Sequence, residues 1–296
     1  MQSTFSGIEL GKRGILAHQQ ALQTTGHNLT NASTEGYSRQ RVELQATLPL
    51  YRPQLNRPER AGQVGQGVEV ARIERVRDEL LDGRIITASG DQSYWETRDR
   101  YILQMEQVYN EVGDSSVRNL MDRFWDGWQE LSMYPEQRAS REAVLQRGQA
   151  LVEGIQLRFK NLDRIRDMVE QEIRGNVEQA NSLIRDIADL NREITNVKAA
   201  GDQPNDLLDR RDLLVERLSQ HMDITVDDRD PDEFSVYTAG YHIVQGRIAR
   251  PFAVEANQQN EGFSDVTWSH NGERVQFRGG YLGALLELRD QDLRTE

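Results

Sequence analysis

A long heptad alternation runs from Ile155 to Val197 in this 296-residue chain and limits the folds open to it. One row reads Phe159, Arg166, Ile173, Ala180, Ile187 and Ile194. The other reads Ile155, Leu162, Val169, Asn176, Leu183, Leu190 and Val197, so only Arg166 and Asn176 interrupt it. Residues three and four apart share a helix face, and a run this long predicts one continuous helix packed in coiled-coil fashion. Gly201-Asp202-Gln203-Pro204-Asn205 then predicts a tight reversal, and Leu207, Leu208, Leu214 and Leu218 a shorter antiparallel helix packing on the earlier ones. Elongated helices have more solvated than buried faces, which suits a chain only 37% hydrophobic and 28% charged.

A second helical pattern opens the chain. Ile8, Ile15, Leu22 and Leu29 recur every seven residues, with the small residues Gly7, Gly14 and Ala21 one position earlier. Gly11, His18 and Thr25 occupy the positions that would complete a second row. A single apolar row with small neighbours suits close approach to another helix; the alternative is an ordinary intrachain core. The glycines at 7, 11, 14 and 26 each cost about 1 kcal/mol of helix propensity relative to Ala. Residues 1–36 are therefore expected to be disordered alone and to order against a partner. The helix should stop near Asn31, because Asn31 to Gly36 gathers residues that compete for backbone hydrogen bonds or tolerate positive φ.

Val42 and Leu44 alternate as in a strand, Pro49, Pro53 and Pro58 forbid a helix, and Gly62, Gly65 and Gly67 mark turns. The helical period resumes from about Ile73 through Val76, Leu80, Tyr101, Met105, Val108 and Val112, with bends expected at Gly83 and Ser89-Gly90. Another helix carries Val117, Leu120, Met121, Phe124, Trp125, Trp128 and Leu131 on one broad face and ends at Pro135. That spacing places Trp125 and Trp128 in a helix core. After His221 the period falls to two. Ile224 and Val226, Phe234 to Tyr237, Ile243 and Val244, Val266 to Trp268, and Val275 to Phe277 predict short strands. A last helix from Gly280 holds Leu282, Leu285, Leu286 and Leu293 in register and is expected to be cut in stride at Glu296.

The predicted fold is mainly α with a smaller β portion (α+β), an elongated bundle of long heptad helices with short strands near residues 38–70 and 223–278. Its expected divisions are an N-terminal helix at 1–36, an elongated helical domain at 37–222 with an irregular or β excursion at 45–70, a small β region at 223–278, and the start of a further helix at 279–296.

Chemistry is mostly excluded. Lys plus Arg number 36 and Asp plus Glu 48, a net charge of −12, which disfavours sequence-blind nucleic-acid binding and an anionic membrane surface. The absence of cysteine removes disulfides, thiolate nucleophiles and cysteine-ligated zinc. No apolar run is long enough to span a membrane, and Met1 to Gly7 lacks the basic and apolar regions of a cleavable signal peptide. In Gly7-Ile8-Glu9-Leu10-Gly11-Lys12-Arg13 the glycine spacing is one short for a phosphate loop, and Arg13 stands where Ser or Thr meets magnesium. Gly62-Gln63-Val64-Gly65-Gln66-Gly67 has the wrong glycine order for a dinucleotide site. Asp228, Asp230 and Asp232 alternate like calcium ligands, but Glu233 and Ala239 stand where glycine and glutamate are needed. His18, His27, His221, His242 and His270 include no pair with zinc-helix spacing, and no G-x-S-x-G marks a nucleophile. No catalytic, cofactor-binding or metal residue is assigned, and the chain is expected to be a non-enzyme without a cofactor. Its only lysines are Lys12, Lys160 and Lys198; arginine forks suit interface ion pairs, and genomic base composition explains the same bias.

Asn28-Leu29-Thr30-Asn31-Ala32-Ser33-Thr34-Glu35-Gly36-Tyr37 resembles the N-x-A-N-x-x-T-x-G-Y signature of the bacterial flagellar axial family of rod, hook and hook-associated proteins, with Thr30 in place of the usual alanine. The continuation Ser38-Arg39-Gln40 is more similar to the hook-associated members. Three further stretches follow in the family's order: Phe124 to Leu131, Asn205 to Leu214, and Gly279 to Asp290. The resemblance implies a structural adaptor at the hook–filament junction. Its implied partners are the flagellar hook protein, a second hook–filament junction protein, further copies of itself in a homo-oligomer ring, an export chaperone and the flagellar type III secretion apparatus. It implies a flagellar, secreted location without a cleavable signal peptide, and no nucleic-acid or membrane partner. It further implies that Ile8, Ile15, Leu22 and Leu29 make self-assembly contacts in an inner tube, and that Asn28, Asn31, Thr34, Gly36, Tyr37 and Arg39 form the turn leaving that helix. An outer domain and a C-terminal heptad helix would follow the last motif. The alternatives are a flagellar hook or rod protein and, from another class, a cytoplasmic coiled-coil signalling or enzymatic protein.

Overall fold

The computed structural model describes residues 5–49, 65–109, 116–228 and 233–294. Among these, the chain is mainly helical with a smaller antiparallel β part. Helix α1 (Ser6–Thr30) leads into a β-hairpin of β1 (Gln40–Ala46) and β2 (Val68–Arg75). Helices α2 (Glu79–Tyr109), α3 (Val117–Met133), α4 (Arg138–Ala199) and α5 (Asn205–His221) follow. A four-stranded sheet in the order β3-β4-β5-β6 comprises Thr225–Asp227, Ser235–Thr238, Tyr241–Gln245 and Ile248–Ala249. Strands β7 (Phe252–Ala256) and β8 (Ser264–Trp268) pair separately, and α6 (Gly280–Glu287) closes the order.

At 62 residues, α4 is roughly 90 Å long at 1.5 Å per residue. From Ile165 onward it buries a third row, Val177 and Ile184, beside the two rows read from the sequence. The reason is its surroundings. Helices α2 and α5 cover one side while β5, β6 and β7 cover another, so a two-row coiled-coil seam is replaced by a broader stripe. Ile155 and Phe159, at the start of the expected seam, are exposed. The reversal after α4 is as predicted, with Gly201 at φ +88.

Several expectations are corrected. Ile73 does not begin a helix; it lies in β2 opposite Val42, and α2 starts at Glu79. Asp78 sets that start, its Oδ1 accepting from the backbone N–H of Leu80 and Leu81 at 3.1 and 3.2 Å. No break occurs at Gly83 or Ser89-Gly90. A Cβ at Gly90 would sit 3.0 Å from the Ser219 carbonyl oxygen, so this glycine serves close α2–α5 packing. Trp125 is 62% exposed and Trp128 is also exposed, because α4 is the main neighbour of α3 among the described residues and it covers the face of Leu120, Phe124 and Gly127. Val275 to Phe277 form no strand of their own; the Val275 N–H donates to the Val266 carbonyl at 2.9 Å beside β8. The last helix does not continue in register. After Glu287 it widens into a turn over Leu288–Asp292, which carries Arg289 into the interior. Val112, Pro53, Pro58 and Gly62 lie outside the described residues.

The apolar core is formed by α2, α4, α5, α6 and the strands from β4 onward, centred on Val169, Ile173, Ile187, Leu218, Trp268 and Leu285. Among the described residues, neither α1 nor the β1–β2 hairpin contributes to it.

Candidate functional site

Helix α1 and the hairpin form an arm. Ala17 and Thr24 are the buried residues of α1, and its interhelical neighbours are replaced by β1 and β2. The Arg13 guanidinium donates to the Gln66 carbonyl at 3.3 Å, and Gly67, at φ +100, lies against the Leu10 side chain. The predicted row faces away. Ile8, Ile15, Leu22 and Leu29 are 68%, 69%, 73% and 78% exposed. Ordinary intrachain core is therefore not what this row provides among the described residues. A Cβ at Gly7, Gly11, Gly14 or Gly26 would meet nothing within 4 Å. The glycines spare no clash inside the chain and leave the α1 backbone accessible from outside.

The signature turn is held by side-chain amides. Asn28 uses both ends of its amide on Gln40: Nδ2 donates to the Gln40 carbonyl and Oδ1 accepts from the Gln40 N–H, each at 2.8 Å. The Tyr37 hydroxyl donates to the same Oδ1 at 2.8 Å and lies 3.1 Å from His27 Nδ1, with the two rings edge-to-face. Burial raises the Tyr37 pKa, and the carboxylates of Asp206 and Asp209 raise it further. Asn31 Nδ2 donates to the His27 carbonyl at 3.0 Å, and the Thr34 hydroxyl to Asn31 Oδ1 at 3.3 Å. These contacts terminate α1 where the sequence placed its end. Gly36 has φ +76, and a Cβ there would come within 3.0 Å of the Leu213 side chain. Arg39 is exposed, and it is its carbonyl that is engaged, by the Val76 N–H at 2.8 Å.

The turn docks onto α5. Buried Asp209 accepts from the Ser38 N–H through Oδ2 and from Arg75 through Oδ1, both at 2.9 Å. Arg75 also reaches Asp212 at 2.6 Å, and Arg77 joins Asp212 at 3.2 Å and Asp82 at 2.8 Å. The hydrogen bond to Asp82 raises the Arg77 pKa, against the effect of burial. Gln40 reaches Asp206, Asn205 caps the Ile73 carbonyl and Gln203 accepts from the Ile73 N–H, at 2.8, 2.8 and 2.9 Å. Thus the signature turn and the Asn205–Leu214 stretch, some 170 positions apart, form one polar latch. Asp206, Asp209 and Asp212 are spaced three apart and so share a helix face. Their spacing was visible in the sequence; of their partners, Ser38 stood out only as part of the motif's continuation, and Arg75 carried no signal of its own.

The Gly279–Asp290 stretch makes a second fastening. A Cβ at Gly280, at φ +68, would overlap the backbone of His221 and Met222 at 2.4–2.7 Å, so α6 packs directly on the end of α5. Arg289 is fully buried and donates to Glu170 at 2.7 Å, to the Ser264 carbonyl at 2.6 Å and to both carboxylate oxygens of Asp290. Burial favours the neutral form of Glu170, but hydrogen bonds from Ser264, Arg289 and Arg174 outweigh it and hold its pKa below the ordinary carboxylate value. Asp290 behaves likewise, burial being outweighed by Arg289 and Asn260.

Among the described residues, no group of three or more His, Cys, Asp or Glu side chains is placed to hold a metal ion; Asp230 and Asp232 lie outside them. No described helix is long and apolar enough to cross a membrane.

Residues 102–296 match the model of the flagellar hook-associated protein FlgK helical domain. Flagellar hook-associated protein 1 of Bacillus subtilis is 38% identical over 76% of this chain and 45% of its own length. The protein of the same description from Salmonella typhimurium is 31% identical over 95% of this chain and 51% of its own length. The flagellar hook junction protein FlgK of Burkholderia pseudomallei, a solved structure, shares the fold with a TM-score of 0.61 at 23% identity, over 70% of this chain and 39% of that one. The chain spans about half the length of the relatives it matches.

Proposed function

Because this chain belongs to the flagellar hook-associated protein FlgK family, we propose that it forms part of a structural adaptor joining the flagellar hook to the filament, rather than a catalyst. One observation carries the reading. The apolar row of α1 projects into solvent from an arm that adds nothing to the core. An exposed stripe of large aliphatic side chains at heptad spacing is a surface made for another helix. In this reading Ile8, Ile15, Leu22 and Leu29 are inner-tube contacts with neighbouring subunits. The turn Asn28, Asn31, Thr34, Gly36 and Tyr37 sets the direction in which α1 leaves the helical body, and Arg39 stands free on its outer side for a neighbour.

The proposed partners are the hook protein on one side, a second junction protein on the other, and further copies of this chain in a ring. Arrival through the flagellar type III secretion apparatus, with an export chaperone, completes the proposal. An arm held to the body by the polar latch and outside the apolar core is compatible with passage in an unfolded state, since it can separate without opening the core.

The test is electron microscopy of cells carrying an in-frame deletion of the gene, with flagellin assayed in the medium. Complete hooks without filaments and flagellin released unpolymerised are expected. Normal filaments refute the reading, and loss of the hooks themselves moves the protein to the rod or hook. Complementation with Ile15→Asp/Leu22→Asp should yield a secreted, folded chain that does not restore filaments.

A further inference from the structure

The signature turn holds a chain of hydrogen bonds whose directions are fixed one by one. The backbone of Gln40 orients Asn28, because Nδ2 donates to the Gln40 carbonyl and Oδ1 accepts from the Gln40 N–H, each at 2.8 Å. A reversed amide would set acceptor against acceptor and donor against donor, so the atom that faces Tyr37 is the oxygen. An amide oxygen only accepts. The Tyr37 hydroxyl, 2.8 Å away, therefore gives its one proton to Asn28. It keeps only lone pairs for its other neighbour, His27 Nδ1 at 3.1 Å. That ring nitrogen must be the donor, so Nδ1 carries a proton.

The far side of the ring then decides its charge. His27 Nε2 faces Asp206 Oδ2 across 3.9 Å. In a neutral ring with its proton on Nδ1, Nε2 would turn a lone pair toward a carboxylate. In the imidazolium both nitrogens are donors, and the same pair attracts. Oδ1 of Asp206 accepts from Gln40 Nε2 at 2.8 Å, which leaves Oδ2 for the ring. His27 also lies in the last turn of α1, where the partial negative charge of the helix end favours a cation. Other charges on the surrounding elements have partners. On α5, Asp209 pairs with Arg75 and Arg217 with Glu35 of the turn; on β1, Arg41 pairs with Glu74. Arg39 is exposed. Asp206 is thus the carboxylate left for His27.

We propose that His27 is a proton-operated catch within the latch. Protonated, it ties the end of α1 to α5 through Tyr37 and Asp206. Neutral, it gives up the Asp206 contact and the arm opens more readily. The sign follows from linkage: docking that favours the imidazolium is tightest on the acid side of the histidine titration and weakens as the pH rises through it. The two side chains are 40% and 68% exposed, so solvent screens the pair and the catch modulates the latch by about threefold in arm opening. Asp209 and Arg75 remain the main hold. The inference concerns the arm and body of one chain and does not depend on how copies assemble.

The test is hydrogen exchange followed by mass spectrometry on the full-length protein at about pH 5.5 and about pH 8, read as protection factors so that the intrinsic pH dependence of exchange cancels. Peptides covering residues 37–46 and 68–76 should be about threefold better protected at the lower pH. Acidification acts on the body in the other direction, through buried His221, so peptides from α4 should show no such gain. Asp206→Asn keeps an acceptor for Gln40 and removes the charge facing Nε2, and His27→Gln removes the titrating ring. Each should flatten the pH dependence of the arm. Arm protection that is equal at the two pH values, that falls on acidification, or that still rises on acidification in either variant overturns the inference.

Discussion

Replacing Asp209 by alanine should release the arm while leaving the body folded. The carboxylate is buried and accepts from the Ser38 N–H and from Arg75, each at 2.9 Å. Its removal strands the buried Ser38 donor, a loss of about 1–3 kcal/mol. Arg75 keeps Asp212 at 2.6 Å, so its charge is not left unpaired, and the full penalty of about 3–5 kcal/mol for breaking a buried pair does not apply. A total of about 2–3 kcal/mol corresponds to a rise of roughly 30- to 140-fold in opening of the arm. Since α1, β1 and β2 supply no residue to the core, the change should be local. Hydrogen exchange followed by mass spectrometry reads both parts at once. Peptides covering residues 37–46 and 68–76 should exchange faster by that factor, while those from α4 around Ile173 to Ile187 stay protected. Asp209→Asn keeps one acceptor for Ser38 but turns its amide NH2 toward the Arg75 guanidinium, losing that hydrogen bond as well as the charge, so it should cost about 1–2 kcal/mol, less than Asp209→Ala. Unchanged exchange in the arm of Asp209→Ala, or an equal rise in α4, would show that the latch is not what holds the arm.

Other substitutions probe the second fastening. Arg289→Met removes the bonds to Glu170, Asp290 and the Ser264 carbonyl. Arg174 and Arg274 still pair the two carboxylates, so the full penalty for a stranded buried charge does not apply. The loss in denaturant unfolding should be about 2–3 kcal/mol, with Arg289→Met/Glu170→Gln costing less than the single variant. Gly280→Ala combines a left-handed φ with overlap on the His221–Met222 backbone and should lose about 2–5 kcal/mol. Gly201→Ala has the same hand of φ but open space, so it should lose only about 1–2 kcal/mol; equal losses would refute the packing argument. The pKa of buried His221 is lowered by burial, and its Nδ1 lies 2.9 Å from Asn176 Oδ1. Its contribution to stability is full above the unfolded value near 6.5 and is lost as the pH falls through the lower folded value. Unfolding midpoints should therefore fall on acidification below about pH 6.5, and His221→Gln should flatten that part of the profile. Asp223 works in the opposite sense: burial raises its pKa, so the stability it withholds at neutral pH returns as the pH falls through that raised value toward the unfolded one of about 3.9. The lowered pKa values of Glu170 and Asp290 add a further loss once the pH falls below about 4.

Heptad rows, breakers and period shifts located α1, α3, α4, α5, the reversal at Gly201 and most of the short strands from local periodicity alone, because backbone geometry repeats at 3.6 or 2 residues whatever lies outside. They misplaced what depends on surroundings. Ile73 reads as the start of a helix until Val42 stands opposite it in a hairpin. Trp125 and Trp128 read as core until α4 is seen to cover a different face of α3. Strands β6 and β7 went unread, the first too short to show a period. The motif residues of the candidate site were legible one stretch at a time.

Local patterns along the chain establish long helices, an apolar row at the start without a second row beside it, and four ordered motifs that resemble flagellar axial proteins. Packing between distant segments makes two of those motifs halves of one latch, brings Asp209 and Arg75 together to hold it, and leaves the α1 row in solvent. The physical reason is range. Periodicity and turn chemistry act over a few residues, whereas the partner of a buried carboxylate is chosen by desolvation and close packing between segments that sequence order keeps 171 positions apart.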